Sequence, residues 1–184
     1  MGVQKLLLPF GGGTVIAHIV DEVLRSPVDE TLVVVGRDGP RIGEALAGRP
    51  VRIVANPDPD GEMLSSVRCG LRALGPDSEA VLVALGDQPT VTAGLVGHMI
   101  DAFRGGGRGI VVPAYGGKPG HPILFSTRYR DEVLTRFDEV GLRGLRQAHP
   151  EDVVELPAAN AAVLADMDTR EDYRRALSEG TQGC

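Results

Sequence analysis

The sequence lacks tryptophan, and aromatic residues make up only 4% of its 184 residues. Its two cysteines, Cys69 and Cys184, are too few and too far apart to suggest a disulfide framework or a metal-ligand cluster. No apolar run approaches the ~18–20 residues that a membrane span requires, and no basic stretch leads into an apolar signal segment. We therefore expect a cytoplasmic protein that has no membrane partner.

Clusters of positive charge are also missing. The formal net charge is −6, and lysine and arginine are scattered except for short pairs such as Arg174-Arg175. This pattern disfavours a nucleic-acid polymer as the main partner, because such proteins carry concentrated basic patches. A single nucleotide stays compatible with the composition, since a few local donors can hold a triphosphate against a negative overall field.

Three common catalytic motifs are absent as well. The chain has no Gly-x-Ser-x-Gly turn of the kind that carries a hydrolase serine. It has no phosphate-binding Walker loop, and no Gly-x-Gly-x-x-Gly follows a predicted strand. These absences disfavour serine hydrolase, ordinary kinase or ATPase, and dinucleotide-dependent functions.

Short apolar strands alternate with amphipathic helices along the whole chain. Near-continuous apolar strands are typical of parallel sheets that are covered on both faces. The alternation predicts one α/β domain over residues 1–184, with three layers and a Rossmann-like, mostly parallel sheet between helices. A loop and strand at 117–125 could pair with the strand at 110–115 at the sheet edge. The predicted strands are 32–35, 51–54, 81–83 and 110–112, and the predicted helices are 15–24, 64–74 and 95–103.

Three aspartates are the leading candidates for chemistry. Asp87 follows the apolar run 80–84, and ligands of open α/β sheets bind just beyond the carboxyl ends of strands. Asp166 and Asp168 precede a further predicted helix near the end of the chain, where Thr169 and Asp172 resemble a capping box. Alternate positions of an extended segment face the same side. Carboxylates that converge need a cation between them, and Mg²⁺ accepts one or two carboxylates together with phosphate oxygens. The alternative is that these residues only form turns and helix entries, which the local sequence favours for Asp166 and Asp168.

Other polar residues allow two interpretations each. Lys5 is either a solvated lysine or a phosphate contact. Ser65 and Ser66 either cap a helix or bind a polar ligand at its N-terminus, and capping is the better local interpretation. His121 is able to donate to a substrate or exchange a proton with it.

Several motifs, taken in order, resemble the molybdenum cofactor cytidylyltransferase branch of the MobA-like nucleotidyltransferase superfamily. One motif is weak evidence, but the full order is specific for the superfamily. The motifs are Met1–Phe10, Asn56-Pro57 with Gly61, Ser65, Ser66 and Gly70, Gly86–Pro89, Pro113–Tyr115 with Gly120-His121-Pro122, and Asp166–Thr169.

The resemblance implies a Mg²⁺-dependent transfer of CMP from CTP to molybdenum-molybdopterin, with release of pyrophosphate. Asp87 would hold Mg²⁺ with Asp166 or Asp168, and Lys5 would steady the triphosphate. The residues implied to line the nucleotide and the acceptor are Gly2, Asn56, Gly61, Ser65, Ser66, Gly86, Gln88, Gly120 and His121. The open alternatives are another nucleotide such as GTP, another phosphorylated acceptor, or an inactive binding partner of molybdenum hydroxylases.

The chain departs from the family at its first residues. The family's glycine-rich loop, Leu-Ala-Ala-Gly-x-Ser-x-Arg, precedes the motif that starts here at Met1. We therefore expect a sheet that lacks the family's first strand and phosphate loop. Either the natural polypeptide continues upstream, or this is a short form without catalysis.

Overall fold

The computed structural model describes residues 4–58 and 61–180, so Gly2, predicted to contact the nucleotide, lies outside the described residues. Strands and helices alternate between residues 13 and 115 as the sequence predicts, whereas three strands follow one another between residues 110 and 126. The strands are β1 Pro9–Phe10, β2 Gly13–Thr14, β3 Leu32–Val35, β4 Arg52–Ala55, β5 Ala80–Val83, β6 Ile110–Tyr115, β7 Lys118–Pro119, β8 Ile123–Ser126 and β9 Val153–Pro157. The helices are α1 Val15–Leu24, α2 Gly39–Ala45, α3 Met63–Ala73, α4 Ala93–Gly106, α5 Arg130–Thr135, α6 Arg143–Ala148 and α7 Arg170–Gly180.

The main sheet has five strands. Four of them pair in the order β5-β8-β6-β7, and the fifth, β9, also pairs with β6. β6 and β9 are parallel, whereas β8 runs antiparallel to both β5 and β6. The predicted edge pairing at 110–115 is made by β7, which forms a hairpin with β6. The strand at 123–126 instead lies inside the sheet, between β5 and β6.

Helices cover the main sheet on both faces, which confirms the layered α/β prediction. Side chains of β6 alternate, so that Ile110 and Val112 pack with α3, α5 and α6, whereas Val111 packs with α4. This alternation follows from the two-residue period of a strand. In the described part of the chain, every helix is too short or too polar to cross a membrane.

Helix α1 joins two parts of the core. Thr14 caps it, because the hydroxyl of Thr14 accepts a hydrogen bond from the Ala17 amide at 3.3 Å. One face packs on β3 and α2, and the other face packs on Met167 and α7. The 3–4 spacing of apolar residues in this segment buries both faces. The C-terminal helix is thereby anchored beside the first residues of the chain.

An open slot separates β3 from β5. β3 pairs with β4 in parallel, β5 pairs with β8, and no strand among residues 4–58 and 61–180 pairs with the other edge of either. A cavity of about 790 Å³ lies between these two edges and is lined by residues of both strands and of α1, α3 and α4. Among the described residues, backbone pairing is therefore interrupted between β3 and β5.

Candidate functional site

The candidate site lies where the first described residues cross the carboxyl ends of β3 and β5. The Gln4 side chain donates to Asp38, which follows β3, with 2.6 Å between Nε2 and Oδ2. The next residue, Lys5, reaches Asp87, which follows β5. Both strands therefore end at the same edge of the molecule, which is the edge where open α/β sheets bind ligands.

Lys5 joins two carboxylates that are far apart in the sequence. Its Nζ lies 2.7 Å from Oδ2 of Asp87 and 2.8 Å from Oδ1 of Asp168. The side chains of Lys5 and Asp87 are 30% and 24% exposed, whereas that of Asp168 is 69% exposed. The backbone supports the convergence, because the amide of Met167 donates to the Asp87 carbonyl at 3.0 Å. Two of the three predicted acids thus share one cation.

The two carboxylates determine the charge state of Lys5. Burial alone would lower the pKa of the Lys5 ammonium, but hydrogen bonds to Asp168 and Asp87 outweigh it and raise this pKa above its ordinary value of 10.5. Lys5 is therefore a permanent positive charge at neutral pH.

Asp166 faces a different partner. Its Oδ1 accepts a hydrogen bond from Nε2 of Gln88 at 2.6 Å, and Gln88 is only 2% exposed. Within the described residues, Oε1 of Gln88 is buried and has no hydrogen-bond partner. The structure therefore places Gln88 beneath an acid, as a group that orients it.

His121 lies against the segment that carries these acids. Its amide donates to the Val163 carbonyl at 2.9 Å, and its Nδ1 is buried with no partner in the described part of the chain. Burial lowers the pKa of His121 below 6.5, and the charge of Asp166 opposes that shift only in part. A neutral imidazole at pH 7 accepts a hydrogen bond at one ring nitrogen and donates one from the other, so it can bind either kind of group.

Asn56, Ser65 and Ser66 form a polar cluster beyond β4. The Asn56 amide nitrogen lies 3.0 Å from Oγ of Ser65 and 3.2 Å from Oγ of Ser66. Neither serine caps α3, whose N-cap is Glu62, so the local preference for capping was wrong. A Cβ on Gly61 would lie 2.3 Å from Oδ2 of Asp58 and 2.8 Å from Cβ of Ser65, so a larger residue there would shift these side chains.

One of the two further glycines at the site allows a close approach. A Cβ on Gly120 would lie 2.1 Å from the Val163 carbonyl oxygen, so only glycine fits there without a shift. A Cβ on Gly86 would meet Leu6 at 3.4 Å, which is an ordinary van der Waals contact, so the packing of Leu6 over the end of β5 does not itself require glycine.

The structure brings only part of the predicted metal set together. Among the described residues, no three histidine, cysteine or acidic side chains form a group that could hold a metal ion. Asp87 and Asp168 nevertheless supply two carboxylates to one point, and a lysine ammonium stands there as the cation. Two carboxylates with open positions suit Mg²⁺, which keeps sites for water and phosphate oxygens. The observed donor set therefore fits such an ion.

Sequence reasoning missed the segment that supports the acids. The carbonyls of Ala162 and Val163 accept hydrogen bonds from Thr90 and His121, which fastens the segment to two other loops. Asn160, which begins the 3₁₀ turn at 161–164, was the available signal, because its side chain accepts from the Ala162 amide.

Comparisons with known proteins follow this geometry. The sequence profile described as the MobA-like NTP transferase domain matches residues 1–153. The molybdenum cofactor cytidylyltransferase of Escherichia coli strain K12 is 28% identical over 187 residues, covering 99% of this chain and 91% of that protein. The nicotine blue oxidoreductase of Paenarthrobacter nicotinovorans is also 28% identical, covering 94% of this chain and 87% of that protein.

A solved structure agrees with the fold. The crystal structure of Rv0371c from Mycobacterium tuberculosis H37Rv matches with a TM-score of 0.85 at 28% identity, over 97% of this chain and 90% of that one. The same protein has been solved in complex with manganese, and that structure matches with a TM-score of 0.78.

Proposed function

Because this chain belongs to the MobA-like NTP transferase domain family and is a nucleotidyltransferase, we propose that it transfers CMP from CTP to a molybdopterin-type acceptor with release of pyrophosphate. In this reaction a phosphate oxygen of the acceptor attacks the α-phosphorus of the nucleotide. The bond from that phosphorus to the bridging oxygen breaks, and pyrophosphate leaves with that oxygen.

One observation carries the proposal: Asp87 and Asp168 both contact the ammonium of Lys5 at the carboxyl ends of the strands. We propose Mg²⁺ as the ion that these carboxylates hold during the reaction. Such an ion would neutralise charge on the phosphate oxygens as the bond breaks. The manganese complex of Rv0371c supports a divalent cation in this group of proteins.

The chain's own residues would hold and orient the substrates. Lys5 is positioned to contact the triphosphate as a point charge, which favours the transition state of phosphoryl transfer. The Asn56 cluster offers hydroxyl and amide groups to the base and ribose. His121, neutral at pH 7, is proposed to face the acceptor. Gln88 is proposed to act beneath Asp166 and not by touching the nucleotide.

Pyrophosphate release tests the proposal directly. The protein is incubated with Mg²⁺, molybdenum-molybdopterin and one of CTP, GTP, ATP or UTP. We expect pyrophosphate with CTP and a loss of about 10²–10³-fold or more in the Asp87→Asn variant, because a preorganised charged group is removed. Asp101→Asn is the matched control, because Asp101 is exposed on α4, and we expect this substitution to leave the rate unchanged.

The other outcomes each overturn part of the proposal. Pyrophosphate with GTP alone would assign another base, and pyrophosphate with a different phosphorylated acceptor would assign another substrate. CTP binding without any pyrophosphate would overturn the transfer reaction and favour an inactive nucleotide-binding protein. The 28% identity to an oxidoreductase makes this assay necessary, because sequence similarity at this level is shared by proteins of different reactions.

A further inference from the structure

The ammonium of Lys5 occupies the point on which Asp87 and Asp168 converge. We propose that Lys5 is a built-in counter-ion that a divalent cation must displace, and that the displaced ammonium then becomes available to the nucleotide's phosphates. This inference rests on the proposed function. It concerns how the site is loaded, which neither the family nor the reaction defines.

Electrostatics favours replacement of the Lys5 ammonium by the metal ion over binding of the ion beside the ammonium. Both carboxylates already accept hydrogen bonds from Nζ of Lys5, at 2.7 Å and 2.8 Å. A dication bound to the same two oxygens would lie within a few ångströms of an ammonium, where like charges repel. Without any cation the two carboxylates would repel each other in turn. Lys5 therefore stabilises the empty site and competes with the ion that fills it.

The local structure allows the side chain to move while the backbone stays. Lys5 opens a single 3₁₀ turn, Lys5–Leu7, and the next two residues, Leu6 and Leu7, pack against the core formed by α1, α2 and β3. The Lys5 side chain is 30% exposed, and Asp168 is more exposed than Lys5. A lysine has a flexible four-carbon stem that carries a compact charge, so it can leave one partner for another without moving the turn.

Displacement links the two ligands. A triphosphate that attracts Lys5 removes a competitor from the carboxylates, and so raises the affinity of the protein for the divalent cation. Thermodynamic linkage makes this effect reciprocal, so the ion also raises the affinity for the triphosphate.

The chain contains only two lysines, Lys5 and Lys118, which makes the displacement directly observable. Protein grown with ¹³C-lysine gives two side-chain methylene signals next to nitrogen, and Lys118→Arg assigns them. Titration with Mg²⁺ alone is expected to shift the Lys5 signal and to leave Lys118 unchanged, because Lys118 is exposed on β7. A Lys5 signal that does not move while Mg²⁺ binds would overturn the inference.

Manganese affinity provides the second measurement. Electron paramagnetic resonance counts free Mn²⁺ in the absence of nucleotide. We expect Lys5→Met to bind Mn²⁺ about 3–10-fold more tightly than the wild type, and Lys5→Arg to match the wild type, because half-exposed charge pairs have effects of this order. Weaker binding in Lys5→Met would contradict competition.

Asp87→Asn separates this inference from the proposed function. If Asp87→Asn abolishes Mn²⁺ binding but Lys5→Met binds like the wild type, the metal site stands and the displacement fails. If Asp87→Asn binds Mn²⁺ as the wild type does, the metal site of the proposed function fails. Both variants are checked for folding by circular dichroism.

Discussion

Gln88 shows how one buried side chain can control an acid at the surface. It is 2% exposed and holds Asp166 through a 2.6 Å hydrogen bond across 78 residues of sequence. A hydrogen bond to an ionised group is stronger than a neutral one and fixes its direction. The burial of Gln88 favours a positioning role over the nucleotide contact that the family resemblance implies.

Gln88→Met tests this positioning role with a side chain of similar length. We expect pyrophosphate formation to fall about tenfold, because one hydrogen bond to a charged group contributes about 1.5 kcal/mol. Gln147→Met, an exposed residue on α6, is the control and retains full activity. Unchanged activity in Gln88→Met would show that Asp166 needs no support.

His121 makes stability depend on pH. Burial lowers its pKa in the folded protein, so the unfolded chain takes up a proton at a higher pH than the folded chain does. The stabilising effect of the neutral form is complete above about pH 6.5 and is lost as the pH falls below that value. We expect Tm to fall more between pH 7.5 and pH 5.5 in the wild type than in His121→Gln. His98→Gln, exposed on α4, should behave like the wild type in this thermal scan.

At the scale of elements, the segment 160–168 is the support on which the site is built. It is fastened by the amide of His121 to Val163 and by Thr90 to Ala162, and the Met167 amide fastens it to Asp87. Both C-terminal acids belong to this segment. Their positions therefore depend on three hydrogen bonds that come from loops after β5 and β7.

Gly120→Ala should disturb this support. The added Cβ would lie 2.1 Å from the Val163 carbonyl oxygen, so the segment must shift. We expect a loss of about 1–3 kcal/mol in the free energy of unfolding, measured with urea, together with a lower rate of pyrophosphate release. Gly94→Ala in α4 is the opposite control, because its Cβ meets nothing within 4 Å and alanine favours a helix. Equal stability of Gly120→Ala and the wild type would contradict the tight contact.

The sequence predicts elements well where the pattern is strong and local. The apolar spacing of 15–24 predicts α1 with the observed bounds, and Thr169 forms the predicted capping pair with Asp172. It misses β9, where polar Glu155 interrupts a short apolar run, and α2, which opens with Gly39-Pro40. Such short segments are stabilised by packing and not by local preference.

The site was predictable only in part, because packing between distant segments decides where its side chains point. Strand ends and the family motifs point to Asp87, Asp168 and Lys5, which the structure brings together. The different surroundings of Asp166 and Asp168 could not be predicted, because alternate positions suggested one shared face. The Met167 amide bonds to the Asp87 carbonyl, and the carboxylates on either side of it reach Gln88 and Lys5.

At the scale of the whole molecule, the slot divides the sheet. β3 packs with α1 and α2 and pairs with β4, whereas β5 belongs to the five-stranded sheet. No strand of the described residues joins the two through backbone hydrogen bonds. They are connected by helix packing and by two adjacent residues at the carboxyl ends of β3 and β5. Gln4 bonds to Asp38 after β3, and Lys5 bonds to Asp87 after β5.

Filling the slot should stabilise the protein. Interiors are close-packed, so a cavity of about 790 Å³ between two apolar strands is unfavourable. A five-residue apolar strand fused ahead of residue 1 is the test, designed to enter the slot parallel to β5. We expect Tm to rise by roughly 5 °C or more, since 1 kcal/mol corresponds to ~2–4 °C at this size. An extension of equal length with alternate aspartates should leave Tm unchanged, and equal Tm values for both extensions would contradict the prediction.

The open slot also bears on how the protein behaves when it is concentrated. Natural proteins place lysine or proline in edge strands to keep them from pairing with other molecules. Neither residue occurs in β3, Leu32–Val35, or in β5, Ala80–Val83. On the slot side, their amide and carbonyl groups have no strand partner among the described residues and can template β-structure from a neighbouring chain. Aggregation during purification should therefore begin at these two strands, and mild crowding should favour it.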